Sequence, residues 1–157
     1  MKTYKLLRIR NGKLYPLYVE MKRELPMHTL LEAGIGELAD ENHVKSRLGA
    51  LALRPGFHST RVPFTDWIGK RVDGRLVQRR DTVWCECRVY GQKETVCQHG
   101  KKELPCDWYE FGTRPNQPFP WIISNNIWIE RILSPTEVLT SAGLFMWNHS
   151  RWNNCFP

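Results

Sequence analysis

Residues 4–20 read YKLLRIRNGKLYPLYVE, and this stretch carries the clearest local signal in the chain. Asn11 and Gly12 both adopt positive φ angles readily, and a two-residue type I′ turn requires such angles at both positions. Pro16 cannot donate a hydrogen bond to a neighbouring strand, so the second strand is expected to be an edge or bulged strand. The sequence therefore predicts an N-terminal β-hairpin.

Strand signals continue in the second half of the chain. Residues 81–91, DTVWCECRVYG, alternate in the way that places successive side chains on opposite faces of a strand. Residues 107–111, DWYEF, predict another strand, and residues 119–133 predict one or two more, with a turn at Asn125-Asn126. The residues expected to share one face of the 81–91 strand are Val83, Cys85, Cys87 and Val89.

Two short helices are also expected. The first lies in residues 28–50, where helical stretches are broken by glycines, and it should end near Gly49. The second begins at Ser134-Pro135, because Ser134 can cap the helix, Pro135 suits its first position and Glu137 completes a capping box. We expect this second helix to stop at Gly143.

Together these elements predict an α+β fold built on a mostly antiparallel, twisted sheet. The 157 residues suit a single domain, 1–157, with an insertion at 85–106 and an aromatic C-terminal tail at 144–157. No apolar run approaches the roughly 20 residues that span a bilayer, so no membrane association is expected. The N-terminal residues also lack the apolar core of a signal peptide.

Residues 85–106, CECRVYGQKETVCQHGKKELPC, hold four of the five cysteines and one of the five histidines. Zinc prefers four thiolate and imidazole ligands. A structural zinc that pins this loop is predicted, with ligands Cys87, Cys97, His99 and Cys106, and with Cys85 as the substitute for Cys87. A disulfide and unrelated free thiols are the alternatives, since Cys85 and Cys87 also suit the apolar face of a strand.

The chain is basic, with a formal net charge of +7, and residues 61–80 hold six Arg or Lys against two Asp. Such a segment suits an acidic protein surface, non-specific nucleic acid, or a solvated loop. The residues expected to contact a partner are Trp67, Arg75, Arg79 and Arg80, since arginine and exposed tryptophan are favoured at interfaces. No phosphate-binding loop, nucleophile motif or paired carboxylates appear, so the sequence does not predict an enzyme.

Residues 54–60, RPGFHST, contain an H-x-T pattern at His58 that is similar to the first motif of the ADP-ribosyltransferase fold. That resemblance implies an NAD-using enzyme in which His58 holds the NAD ribose. Tyr109 would supply the aromatic residue of the second motif, and Glu130 would be the catalytic glutamate. The alternative is structural: His58 would form a hydrogen bond within a tight Pro-Gly turn.

The K-L-x-R hairpin, the R-P-G-F-H segment at 54–58 and the V-W-x-E strand at 83–86 resemble a group of small phage and prophage proteins. By class, this resemblance implies a zinc-containing anti-CRISPR protein. Such a protein would bind a Cas9-type effector stoichiometrically in the bacterial host cytoplasm and block nucleic-acid loading or a domain movement. Because this chain is basic, mimicry of DNA is disfavoured, and docking on an acidic face is expected.

Overall fold

The computed structural model describes residues 1–41, 43–47, 49–65, 70–72, 75–77, 80–96, 100–112 and 120–147. Within these ranges the chain forms thirteen strands and one helix. The first strands are β1 (Lys2–Arg10), β2 (Lys13–Tyr15), β3 (Leu30–Glu32), β4 (Leu38–Asp40), β5 (His43–Ser46), β6 (Gly49–Ala52) and β7 (Phe57–Ser59). They are followed by β8 (Lys70–Val72), β9 (Arg75–Val77), β10 (Thr82–Arg88), β11 (Trp108–Phe111), β12 (Trp121–Ser124), β13 (Asn126–Ile132) and α1 (Pro135–Trp147).

All the strand pairs of the named sheets are antiparallel. The largest sheet has the order β2-β1-β10-β13-β3, and a three-stranded sheet has the order β11-β12-β7. Strands β4, β5 and β6 form a second three-stranded sheet, and β8 pairs with β9. The described fold is therefore mostly antiparallel β-structure with one short helix, and no helix within it is long and apolar enough to cross a membrane.

The main core lies between the five-stranded sheet and the β11-β12-β7 sheet. Alternation gives each sheet an inner and an outer face. On the inner faces Leu7 and Ile129 pack with Phe57 and Ile122, and all four are buried. A second cluster on the outer face of the larger sheet joins Leu6, Leu17, Trp84 and Leu133. The outer face of the smaller sheet carries Tyr109, Phe111 and Ile123.

The predicted N-terminal hairpin is confirmed. Asn11 and Gly12 have φ angles of 48° and 73°, as a type I′ turn requires, and Arg10 pairs with Lys13 across the turn. Strand β2 is an edge strand and ends directly before Pro16. The predicted strands at 81–91 and 107–111 are also present, and Asn125 separates β12 from β13, which belong to different sheets.

The helix predicted in residues 28–50 is wrong. This segment forms β3, β4, β5 and the start of β6. Gly36 and Gly49 take positive φ angles of 84° and 98°, which break helical geometry and suit turns between strands. In β5 only Val44 is buried, as expected for a short strand that packs one side chain inward. Of the two expected helices, the described residues therefore contain only the second, α1.

The start of α1 is confirmed, and its end differs from the prediction. The Ser134 N–H donates to Glu137 Oε2 at 2.8 Å, and the Glu137 N–H donates to Ser134 Oγ at 3.2 Å, which is a capping box. The helix continues through Gly143 to Trp147, because one glycine costs a helix only about 1 kcal/mol. Residues 144–147 of the predicted tail are therefore helical, and residues 148–157 lie outside the described residues.

Gly56 is a position where the fold tolerates no side chain. Its φ is +128°, and an added Cβ would lie 2.8 Å from the carbonyl oxygen of Ser124 and 2.9 Å from Cγ2 of Ile123.

We expect Gly56→Ala to lower the free energy of unfolding by about 3 kcal/mol or more, measured by urea denaturation. In the control Gly49→Ala an added Cβ meets nothing within 4 Å, so strain alone should cost about 1–2 kcal/mol. Equal losses in the two variants would contradict this account.

Candidate functional site

A cleft of about 390 Å³ lies beside β1 where two chain segments diverge. Its lining comes from β1, from the segment that follows β2, from residues 54–58 and from the β4-β5-β6 sheet. Strand β2 leaves β1 after Tyr15, and Thr60, directly after β7, forms a bridge with Tyr4 of β1. The cleft therefore occupies the space along the edge of β1 between these two neighbours.

Aromatic rings form much of the cleft wall. Phe57, Trp84 and Trp121 line it together with Tyr4 and Tyr18. Trp84 reaches it from β10 and is buried, whereas Trp121 is partly exposed. Flat apolar walls of this kind favour a ligand with a planar ring, because rings stack on one another and on aromatic side chains.

Three cationic side chains line the same cleft. Arg23 forms an ion pair with Glu20 at 3.3 Å. Lys5 instead donates from Nζ to the carbonyl oxygen of His58 at 2.7 Å, and burial lowers the pKa of Lys5 to about 8. The guanidinium of Arg54 lies 4.2 Å from the centre of the Phe111 ring.

Arg54 and Lys5 differ from Arg23 in lacking an anionic partner. In the described part of the chain neither forms an ion pair, and the buried Nε of Arg54 has no hydrogen-bond acceptor. Both side chains are half-buried, and their contacts with a carbonyl oxygen and an aromatic ring carry no negative charge that would offset the lost hydration. Within the described residues the cleft thus has two cations without an ion pair beside one paired cation.

His58 also lines the cleft, and a hydrogen bond within its own turn holds its ring. Its Nε2 donates to the carbonyl oxygen of Arg54 at 2.8 Å, across Pro55 and Gly56. The structural alternative, a hydrogen bond within a tight Pro-Gly turn, is confirmed. Burial lowers the pKa of His58 to about 4, and the charges of Lys5 and Arg54 act in the same direction. The ring is therefore neutral at pH 7, and it lies 5.8 Å from the Trp121 ring between centroids.

The other two residues of the NAD-transferase hypothesis do not line the cleft. Tyr109 is fully buried on the outer face of its sheet, where its hydroxyl accepts from the Lys101 N–H at 3.4 Å. Glu130 lies on β13 and pairs with Arg88 at 3.3 Å. Of the three residues, the structure places His58 alone at the cleft.

Cys85 and Cys87 lie in the main core, as their alternation predicts. Both side chains are fully buried, and burial raises the pKa of the Cys85 thiol to about 12 and also raises the pKa of Cys87. Cys106 is exposed, and Cys97 and His99 lie outside the described residues. Among the residues that the structure describes, no three Cys, His, Asp or Glu side chains form a metal-binding group. The zinc site stays a prediction.

Hydrogen bonds join residues 92–94 of the 85–106 segment to Asp107 and Trp108. The Asp107 N–H donates to Glu94 Oε1 at 2.7 Å, and the Gln92 N–H donates to Asp107 Oδ2 at 2.7 Å. Glu94 also pairs with Lys101, and its N–H donates to the carbonyl oxygen of Trp108 at 2.8 Å. Two acidic side chains therefore fix these polar ends to β11 by contacts that involve no metal.

The structure describes two of the four predicted partner-binding residues, Arg75 and Arg80. Trp67 and Arg79 lie outside the described residues, and Arg75 is described only as part of the β8-β9 hairpin. Arg80 is exposed in the turn before β10. Docking of this segment on an acidic face of a Cas9-type effector stays a prediction, and so does non-specific nucleic-acid binding.

The neutral His58 makes the fold sensitive to acid. Its pKa is about 4 in the fold and near 6.5 when unfolded, so the unfolded chain binds the extra proton as pH falls from 6.5 to 4. We expect this group to remove about 1–3 kcal/mol of stability over that range. The variant His58→Gln keeps a donor for the Arg54 carbonyl and should lose less stability than the parent between pH 7 and 4.5, measured by urea denaturation.

The exposed His43, which pairs with Asp40 at 2.9 Å, supplies the matched control. His43→Gln should leave the acid-dependent loss of stability unchanged within about 0.5 kcal/mol. The same loss in the parent and in His58→Gln would show that His58 is not the acid-sensitive group.

The zinc prediction is tested by metal content. Protein purified without chelator should contain about one zinc per chain, and Cys97→Ser combined with His99→Ala should lose it and lower the melting temperature. Cys85→Ala should retain the metal, whereas Cys87→Ala should lose it if Cys87 is the strand ligand. Sub-stoichiometric zinc in the parent protein would contradict the prediction.

Comparisons of this chain with protein-family models, with curated proteins and with solved structures gave no match. The candidate site is therefore assigned from its own geometry. Its defining features are the aromatic walls, the cations Lys5 and Arg54, which form no ion pair with any described residue, and the neutral His58 ring beside Trp121.

Proposed function

We propose that this protein binds a small anionic molecule with a planar ring in the cleft beside β1. Nucleotides, including dinucleotide cofactors such as NAD, are the class of molecule with this chemistry. The observation that supports the proposal is the pair of cleft cations, Lys5 and Arg54, that have no ion pair in the described residues.

Burying a cation, even in part, costs free energy. An unpaired buried charge destabilises a fold, and proteins usually pair such a group or leave it in water. Arg54 has a buried Nε without an acceptor, and its guanidinium is held against Phe111 beside the cleft. A phosphate or carboxylate would supply the missing acceptor and would be held by charge-assisted hydrogen bonds.

The volume and the walls of the cleft suit a small molecule with a planar ring. A volume of about 390 Å³ falls within the range of small-molecule sites, which are mostly apolar with a few converging polar groups. Trp84 and Trp121 offer apolar ring faces, and Arg54 and Lys5 supply the polar groups. A nucleotide combines both requirements in one molecule, since its base is planar and its phosphate is anionic.

We propose that the protein binds this molecule without catalysing a reaction on it. The carboxylate that lines the cleft is Glu20, and it is already paired with Arg23. Glu130, the glutamate of the transferase hypothesis, is paired with Arg88 on β13. NAD consumption or label transfer that disappears in His58→Ala would instead support the transferase hypothesis.

The proposal predicts binding that depends on charge and ring together. Calorimetry or tryptophan emission should detect binding of AMP, UMP, GMP, CMP or NAD, and the matching nucleosides should bind at least about tenfold more weakly. Arg54→Met removes the charge but keeps an aliphatic chain against Phe111, and it should weaken binding of the same nucleotide about tenfold or more. Added salt should weaken binding to the parent more than to Arg54→Met.

Arg10→Met is the matched control, because it removes the same charge from an exposed position on the hairpin, away from the cleft. It should bind the nucleotide as the parent does. An equal effect of Arg10→Met and Arg54→Met would point to the overall basic charge, and the absence of binding by every nucleotide tested would overturn the proposal.

A further inference from the structure

The edge of β1 that faces the cleft is paired at two places and open between them. At one end the Tyr4 N–H donates to the Thr60 carbonyl at 2.7 Å, and the Thr60 N–H donates to the Tyr4 carbonyl at 2.8 Å. At the other end Arg8 pairs with Tyr15 of β2. Leu6 lies midway between these points and lines the cleft.

The backbone groups of Leu6 point into that opening. Along a strand the N–H and C=O groups of alternate residues point to the same edge, so those of Leu6 follow those of Tyr4, away from β10. The neighbouring strand agrees with this direction. Trp84 is the residue opposite Leu6 on β10, and its carbonyl faces away from β1, where it accepts from the Leu133 N–H at 2.8 Å.

Leu17 packs its side chain with Leu6, but its backbone does not pair with that of Leu6. If β2 kept its register with β1, Leu17 would stand opposite Leu6. The strand ends before Pro16, and the Leu17 carbonyl accepts from Arg8 Nη2 at 3.2 Å instead. Within the described residues no strand pairs with this edge at Leu6, although the residue is only 7% exposed.

Buried backbone N–H and C=O groups almost always have partners, and leaving them unpaired costs free energy. We infer that the backbone N–H and C=O of Leu6 recognise a ligand edge with an adjacent hydrogen-bond acceptor and donor, as in a primary amide, a lactam or the Watson–Crick edge of a nucleobase. The inference rests on the proposed function, and it adds the chemical group by which the ring is recognised. The two hydrogen bonds would continue the pairing that Tyr15 and Thr60 make on either side.

Matched nucleotides test the inference on the intact protein. AMP is compared with N6,N6-dimethyl-AMP, and UMP with 3-methyl-UMP, by calorimetry. In each pair the charge and the ring are kept and the donor is removed. Methylation should weaken binding about tenfold, because it leaves the Leu6 carbonyl without its donor.

Two substitutions at Leu6 separate the backbone from the side chain. Leu6→Val keeps the N–H and should preserve the preference for the unmethylated nucleotide. Leu6→Pro removes the N–H without removing a bond to β10, as an edge position allows, and should reduce affinity for the unmethylated nucleotide about tenfold. Circular dichroism identifies any variant that fails to fold. In that case the comparison of methylated and unmethylated nucleotides on the parent protein tests the inference by itself.

The outcomes distinguish this inference from the proposed function. Nucleotide binding that depends on Arg54 but is unchanged by methylation would overturn the inference and leave the proposed function standing. Failure of all the nucleotides to bind would overturn both. Loss of the methylation preference in Leu6→Val would place recognition in the side chain and would also contradict the inference.

Discussion

The free edge of β1 is the constraint on which the cleft depends. Pro16 fixes its own φ near −65° and turns the chain away from β1 directly after Tyr15. The buried Arg8 then holds the Leu17 carbonyl, and Asp81 pairs with the Arg8 guanidinium at 3.3 Å. The Leu6 and Leu17 side chains pack together, but the Leu17 carbonyl is taken by Arg8 and the two backbones do not form a strand pair. Within the described residues the strand edge therefore has no paired strand where two further chain segments approach it.

The elements that could be predicted from the sequence are those fixed by neighbouring residues. The Asn11-Gly12 turn and the capping box between Ser134 and Glu137 are local, so a short stretch of sequence specifies each of them. The two faces of β10 also follow from a local alternation. By contrast, Gly34 and Gly36 interrupt a segment whose strands are stabilised by pairing with one another and with β13, which a short stretch does not reveal.

The candidate site could be predicted only in part, because its residues meet through distant pairing. His58 is recognisable from its motif, but neither the R-P-G-F-H segment nor the K-L-x-R hairpin marks Arg54 or Lys5 as a cleft cation, and Lys5 reaches His58 across 53 residues of sequence. One signal is present: Lys5 falls on the same side of β1 as Leu7, where the alternation expects an apolar side chain. A lysine at a core-facing position indicates either a buried pair or a cavity.

Three departures from ordinary structure lie at the cleft. Glu20 has a φ of 48°, a strained angle for a residue other than glycine, and it lines the cleft. The unpartnered Nε of Arg54 and the open edge at Leu6 lie at the same cleft. The last two leave polar groups without a partner among the described residues, and a ligand that supplied those partners would bind the folded state alone and stabilise it. Concentration of such costs at one cavity is expected where a binding site, rather than the packing of the core, has shaped the sequence.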